Sequence, residues 1–204
     1  MNVDPVKEAM LTVADFFDSR KAGNAGPLGF RRSSDLARLL SGIEKLQEKN
    51  ILGISGLNFL DMGCGDGRVN ILLSYISSRS IGIELDEWTL DDYPLLKESL
   101  DMELKRLNLP LPPESIHLFE GDSLDPALHD RILNDTGLKI ENIDLFYTYL
   151  TLHEEIAELV AQRARPGALF MVYGLEKIMP RYDRLELITH AEPLEGILAV
   201  YRKP

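Results

Sequence analysis

The sequence is short of cysteine, of positive charge and of long apolar runs, and each shortage closes off a class of protein. One cysteine, Cys64, among 204 residues leaves no partner for an intrachain disulfide and too few thiols for a multi-cysteine metal site. Lys and Arg number 22 against 33 Asp and Glu, a formal net charge of -11. Because phosphate contacts need clustered cations, that balance disfavours nucleic acid and fits a basic or neutral partner better. No apolar run approaches the roughly 18 residues of a membrane helix, and the opening MNVDPVKEAML has no basic stretch leading into an apolar one. The expectation is a cytoplasmic protein with no membrane partner. Hydrophobic residues at 45% and charged ones at 27% are enough to build one packed core, so disorder and fibrous classes are also excluded.

Along the chain there is no repeat and no low-complexity tract. Residues 2–19 read as a helix, and RKAGNAGPLGFRRSS reads as a loop on its Gly, Pro and Asn content. From Ser34, taken as N-cap, Leu36, Leu39, Leu40, Ile43 and Leu46 recur at helical spacing. Residues 1–55 thus form a helical cap or lid, and residues 56–204 the main domain, in one compact unit. There, short β-rich runs (LNFLDM, SIGIEL, SIHLFEG, NIDLFYTYL, ALFMVYGL) alternate with helical ones. Asp125 caps one helix ahead of Pro126, and Thr151 with Glu154 makes a capping-box pattern for another. The closing runs RLELITHAE and GILAVYR have no helix between them and predict a hairpin. The fold class is therefore α/β: a doubly wound, Rossmann-like, mostly parallel sheet of seven strands, helices on both faces, the last strand antiparallel, with an N-terminal helical extension.

The most informative stretch is NFLDMGCGDGRVNIL, where Gly63, Gly65 and Gly67 crowd the turn between the first strand and its helix. Glycines there let the backbone approach a nucleoside-like ligand that a Cβ would obstruct. The spacing is not the G-x-G-x-x-G of a dinucleotide site. Asp61 precedes the turn and Asp66 lies inside it, and two carboxylates suit a cationic group better than a pyrophosphate. Glu84, about 20 residues beyond the turn at the end of the second strand, can accept from both hydroxyls of a ribose. Blander readings compete: the glycines can serve only a tight turn, Cys64 is more simply a small packing residue, and Glu84 can be a solvated strand end.

With those residues in view, the chain resembles the seven-strand S-adenosylmethionine-dependent methyltransferases from roughly Gly56 to Lys203. DMGCGDG is similar to their first motif, GIELD to their second-strand acid, and EGDSLD to the segment that holds adenine. The resemblance implies S-adenosyl-L-methionine as cofactor. Asp61, Gly63, Gly65 and Gly67 would hold its methionine end and ribose, Glu84 the ribose hydroxyls, and Asp122 and Ser123 the adenine. Leu85 or Trp88 would wall the adenine pocket, and Tyr147 would line the cofactor from the end of the fourth strand. That end faces the methyl group in this fold, which singles out Tyr147, Thr148 and Tyr149, with His153 and Glu155 as proton acceptors. One of the two tyrosines can equally be a core residue, and His153 and Glu155 can be surface positions at a helix start. The Arg31-Arg32 pair could hold the cofactor carboxylate or lie solvated in its loop.

A looser resemblance is to the small protein-lysine methyltransferases of this fold, from GCGDGR to DLFYTYLTLHEE and the PG turn, although GPLGFRRSS lacks the proline-rich form expected in that loop. It implies a protein lysine as methyl acceptor. Two rivals remain, a nicotinamide-dependent oxidoreductase and a cofactor-binding interaction module without turnover. Acceptors of other kinds, small molecules and nucleic-acid bases included, are left open, as is the oligomeric state.

Overall fold

The structure is a computed structural model describing residues 4–20, 25–26, 29–30, 33–176, 179–189 and 193–204. Arg31 and Arg32 lie outside the described residues. Among the described residues, no helix is long and apolar enough to cross a membrane.

Seven strands form one sheet: β1 (Leu57–Met62), β2 (Ser77–Glu84), β3 (Ile116–Glu120), β4 (Leu145–Tyr149), β5 (Leu169–Tyr173), β6 (Glu186–Leu187) and β7 (Leu198–Arg202). Their spatial order is β3-β2-β1-β4-β5-β7-β6. All contacts from β3 to β5 are parallel, and β7 enters antiparallel between β5 and β6. The expected closing hairpin is present, with its first strand cut to two residues. From β1 the chain winds outward through β2 to β3, then returns to start again at β4 on the other side of β1. That reversal opens a crevice beyond the carboxyl ends of β1 and β4, where Asp61 stands in register with Tyr147.

Helices α1 (Pro5–Asp18), α2 (Leu36–Glu48), α3 (Arg68–Ser74) and α5 (Tyr93–Arg106) serve one face, and α6 (Pro126–Thr136) and α7 (His153–Arg163) the other, with α4 (Glu87–Leu90) a single turn after β2. β1, β4, β5 and β7 are buried on both sides, which is why they read as near-continuous apolar runs. Alternate residues divide between two cores. Phe59, Leu145, Tyr147, Met171, Tyr173, Leu198 and Val200 pack with α1 to α3. Leu60, Met62, Phe146, Phe170, Val172 and Tyr201 pack with α6 and α7. The leading helices thus cover a sheet face, burying Val13, Phe17, Leu39, Ile43 and Leu46 in the same cluster as the strands.

Local signals account for most boundaries. Asp4 caps α1 ahead of Pro5, and Asp125 caps α6 ahead of Pro126, accepting from the Ala127 amide at 2.9 Å. Two expected caps are corrected. Asp35, not Ser34, caps α2 by accepting from the Arg38 amide at 2.9 Å, because the Ser34 hydroxyl is taken by the sheet. The Thr151–Glu154 capping box does not form, since α7 starts from Leu152 in a left-handed conformation with no side-chain cap.

Candidate functional site

The glycine turn leaves β1 with three left-handed residues, Gly63 (φ 104), Gly65 (φ 58) and Gly67 (φ 75). They do different work. Among the described residues, a Cβ on Gly63 would meet nothing within 4 Å, and one on Gly65 only Thr89 Cγ2 at 3.9 Å, so neither glycine's backbone is covered by a described residue at the crevice. A Cβ on Gly67 would come within 2.8 Å of the Tyr93 ring and 3.0 Å of Leu118, so this glycine seats α3 against its neighbours. Cys64 is buried with its thiol proton held tightly by desolvation, and its Cβ is 2.8 Å from where a Cβ on Gly82 would stand. It packs between turn and strand.

Asp61 is 1% exposed and its Oδ1 has no hydrogen-bond partner among the described residues. Burial, with the nearby Glu84 and Asp66 charges adding to it, pushes its carboxyl well above the ordinary range. Asp66 does not share the role expected of the pair. It is matched to Arg68, whose Nε and Nη2 donate to its two oxygens at 2.9 and 2.6 Å while the guanidinium lies over the Phe17 ring at 5.2 Å. The turn therefore offers one acid unmatched among the described residues, beside backbone that no described residue covers.

Glu84 closes the turn from β2. Its Oε2 accepts from the Gly65 amide at 2.9 Å and its Oε1 from the Asp86 amide at 3.1 Å, fixing both oxygens at the crevice with lone pairs left over. Leu85 and Trp88 follow at 62% and 81% exposure, an apolar wall that no described residue covers. Across from them, the loop after β3 is built by Asp122, which accepts from the Leu124 amide at 2.9 Å and is itself exposed, and by Ser123, whose carbonyl faces His129 Nε2 at 2.9 Å. The expected adenine residues thus stand on the adjoining strand end, since Glu84 pairs with Glu120 across β2 and β3.

The end of β4 is different from expectation. Tyr147 is 1% exposed and its hydroxyl lies 2.5 Å from Ser34 Oγ. Desolvation raises its pKa well above the normal phenol. Tyr173 on β5 accepts from the Asp35 amide at 3.0 Å, and burial pushes its hydroxyl up to about 12. Half-buried Tyr149 packs on Tyr173, ring centroids 5.3 Å apart. Thr148 points to the opposite face and ties β4 to β1 by donating to the Met62 carbonyl at 2.9 Å. The chain then leaves β4 through Leu150 (φ 36) and Leu152 (φ 51), a conformation that costs a non-glycine residue about 1 kcal/mol and marks this lip of the crevice as strained.

The structure brings Asp61, Gly63, Gly65 and Glu84 together and sets Tyr147 beside Asp61. It does not bring His153 to them. His153 Nδ1 is 2.7 Å from the Tyr182 hydroxyl, and that ring packs with Phe170 and Tyr201 on the other face of the sheet. Glu155, in the same first turn of α7, is exposed. Tyr173, His129 and Arg163 are not singled out by the sequence, and Ser34 only as a helix cap. Tyr173 alone had a signal there, as the third tyrosine of two adjacent strand ends.

No protein-family model matches the chain, and no curated relative matches it. Among solved structures it is similar to an RNA methyltransferase from Salinibacter ruber in complex with S-adenosyl-L-homocysteine, at a TM-score of 0.52 and 15% identity over 85% of this chain and 94% of that one. It is also similar to a precorrin-6y C5,15-methyltransferase from Geobacter metallireducens, at a TM-score of 0.51 and 13% identity over 90% and 94%. At such identities the likeness is one of architecture: the chain adopts the seven-strand fold of the class I S-adenosylmethionine-dependent methyltransferases.

Proposed function

We propose that this chain is an S-adenosylmethionine-dependent methyltransferase. The observation that carries the reading is the buried Oδ1 of Asp61, without a partner among the described residues, beside the backbone of Gly63 and Gly65, which no described residue covers. A buried acid without a donor is expensive, and a ligand's ammonium group is the partner that offsets the cost. A pyrophosphate would meet the same carboxylate as a repulsion, which disfavours the nicotinamide reading. Glu84 adds two fixed oxygens for ribose hydroxyls, and Leu85, Trp88, Asp122 and Ser123 supply apolar and polar edges for a purine. When bound, the cofactor supplies an electrophilic methyl group on a sulfonium centre.

The chain's own contribution is alignment and exclusion of water, as suits a direct displacement. Tyr147 is engaged with Ser34 and strongly resists ionisation, so it is a positioning residue and a poor proton acceptor. Tyr149 is the aromatic whose half-exposed ring can face an incoming group. We extend the reading to a basic acceptor, with a protein lysine as the first test case: the net charge of -11 favours cationic partners, and an aromatic face attracts an ammonium.

Calorimetric titration with S-adenosylhomocysteine, run beside NAD and repeated on Glu84→Ala, tests the cofactor. One-to-one binding of the homocysteine compound alone, weakened in the variant, is expected. Preference for NAD overturns the reading. Labelled methyl transfer to lysine-rich proteins, compared with RNA, then tests the acceptor, and transfer to RNA alone overturns the lysine extension.

A further inference from the structure

On the side of the sheet away from Asp61, a chain of four groups ends on the loop assigned to adenine. Glu141 Oε1 accepts from Arg163 Nε and Nη2 at 2.9 and 2.8 Å. Arg163 Nη1 lies 2.8 Å from His129 Nδ1, and His129 Nε2 lies 2.9 Å from the carbonyl of Ser123. A guanidinium has only donors, so Nδ1 must be the acceptor and Nε2 must carry the proton that it donates to Ser123. The ring is thereby held neutral and in one tautomer. It is 4% exposed, at the first turns of α6, and burial lowers its pKa below the ordinary histidine value.

We propose that His129, set in its Nε2–H tautomer by Arg163, is the positioning residue that holds the Gly121–Asp125 loop in its ligand-binding shape. The proposal rests on the cofactor reading above. Nothing in the loop replaces the bond: Asp122 Oδ1 braces Leu124, Asp125 Oδ1 caps α6, and the Asp125 amide donates back to the Asp122 carbonyl. Without His129, the Ser123 carbonyl loses its described partner, and the loop keeps these short-range contacts, the Gly121 amide's bond to the Glu84 carbonyl at 2.9 Å where it leaves the sheet, and the packing of Leu124.

The arrangement fixes a pH dependence. The charged groups that face the ring are Arg163 from α7, which opposes its protonation, and Asp125 of the α6 cap and Glu141 of the Ile140–Asn142 turn, which favour it; burial and Arg163 together outweigh the acids. Above the ordinary value of 6.5 the ring is neutral, folded or unfolded, and the bond to Ser123 is intact. As pH falls through the lowered value, a proton on Nδ1 faces the guanidinium and the contact with Arg163 is lost. Nε2 still donates to Ser123, so what goes is the clamp that fixes the ring, and with it the exact setting of the loop.

The test is calorimetric titration with S-adenosylhomocysteine and with 5′-methylthioadenosine, which keeps the adenosine and lacks the amino acid, at about pH 8 and about pH 5.5. His129→Leu is expected to weaken both ligands about five- to tenfold at the higher pH, the worth of one hydrogen bond. His129→Gln, whose Nε2 can donate from nearly the same place, recovers most of that affinity and loses the wild-type fall at low pH. Arg163→Met, at a more exposed position, removes the clamp itself, so it is expected to weaken both ligands at the higher pH and to flatten the fall. It carries the test if His129→Leu does not fold. Wild-type affinity in His129→Leu, or a pH profile unmoved in both other variants, overturns the assignment. If the wild type binds neither ligand, the cofactor reading fails and takes this one with it.

Discussion

Asp61 is buried among carboxylates with an oxygen that no described donor faces, so ionising it costs the folded chain stability. Its folded pKa is raised, so between the ordinary value of 3.8 and the raised one the folded state holds more protons than the unfolded one. Stability from this residue is therefore full below 3.8 and is lost as pH rises through the folded value. Asp61→Asn is expected to unfold at higher urea than the wild type by about 1 kcal/mol near neutrality, with the gain shrinking towards acid, while its affinity for S-adenosylhomocysteine drops. A gain that does not change with pH would show that charge burial is not the cause. The glycines give a second contrast. Gly65→Ala carries only the left-handed backbone cost of about 1 kcal/mol, whereas Gly67→Ala adds collisions with Tyr93 and Leu118, for a total of about 2–3 kcal/mol. Urea midpoints should fall in that order, and the reverse order would mean that α3 is not seated through Gly67.

At the scale of elements, α2 is fastened at its first turn by groups from three directions. Asp18, from the end of α1, accepts from the Leu36 and Ala37 amides at 2.9 Å each, Tyr147 meets Ser34, and Tyr173 accepts from Asp35. Tyr147→Phe leaves the buried Ser34 hydroxyl without that partner and is expected to cost about 1–3 kcal/mol, while Asp18→Ala removes a cap worth about 1 kcal/mol. Both are read by urea denaturation, and S-adenosylhomocysteine affinity should stay within about twofold in each, because each group is already committed to the first turn of α2. A tenfold loss of affinity in Tyr147→Phe would return that hydroxyl to the ligand pocket. The same joint shows where sequence reading stops. The helix was legible from its leucine spacing, but SSD offers three adjacent capping side chains, and the choice among them was made by tyrosines on β4 and β5. Thr151 and Glu154 had the spacing of a capping box, yet the left-handed turn at Leu150 and Leu152 moved the helix start past Thr151.

Over the whole molecule, what could be read from the sequence was local. Alternating runs gave the strands, a turn and a strand end gave Gly63 and Glu84 as candidates, and Asp122 came only with the family resemblance. What could not be read depends on contacts between distant segments: Arg163 on His129 spans 34 residues and Tyr173 on Asp35 spans 138. The division of the chain at residue 55 belongs to the same scale. Gly42 shows how closely α2 lies on the sheet, since a Cβ there would come within 2.6 Å of Leu198 Cδ1 on β7. Phe17, Leu39, Ile43 and Leu46, all 1% exposed or less, fill the spaces above Phe59, Tyr147, Tyr173 and Val200. Removing residues 1–55 would therefore strip one of the two apolar layers from β1, β4, β5 and β7. Each large side chain left facing water forfeits about 1.5–3 kcal/mol, and a few such losses exceed the 5–15 kcal/mol that typically holds a domain together. A chain of residues 56–204 is expected to melt without a cooperative transition and to bind no S-adenosylhomocysteine. If it instead melts sharply and binds the ligand as the full chain does, the leading helices are a separable cap, and the packing of α1 and α2 on the sheet contributes little to the fold.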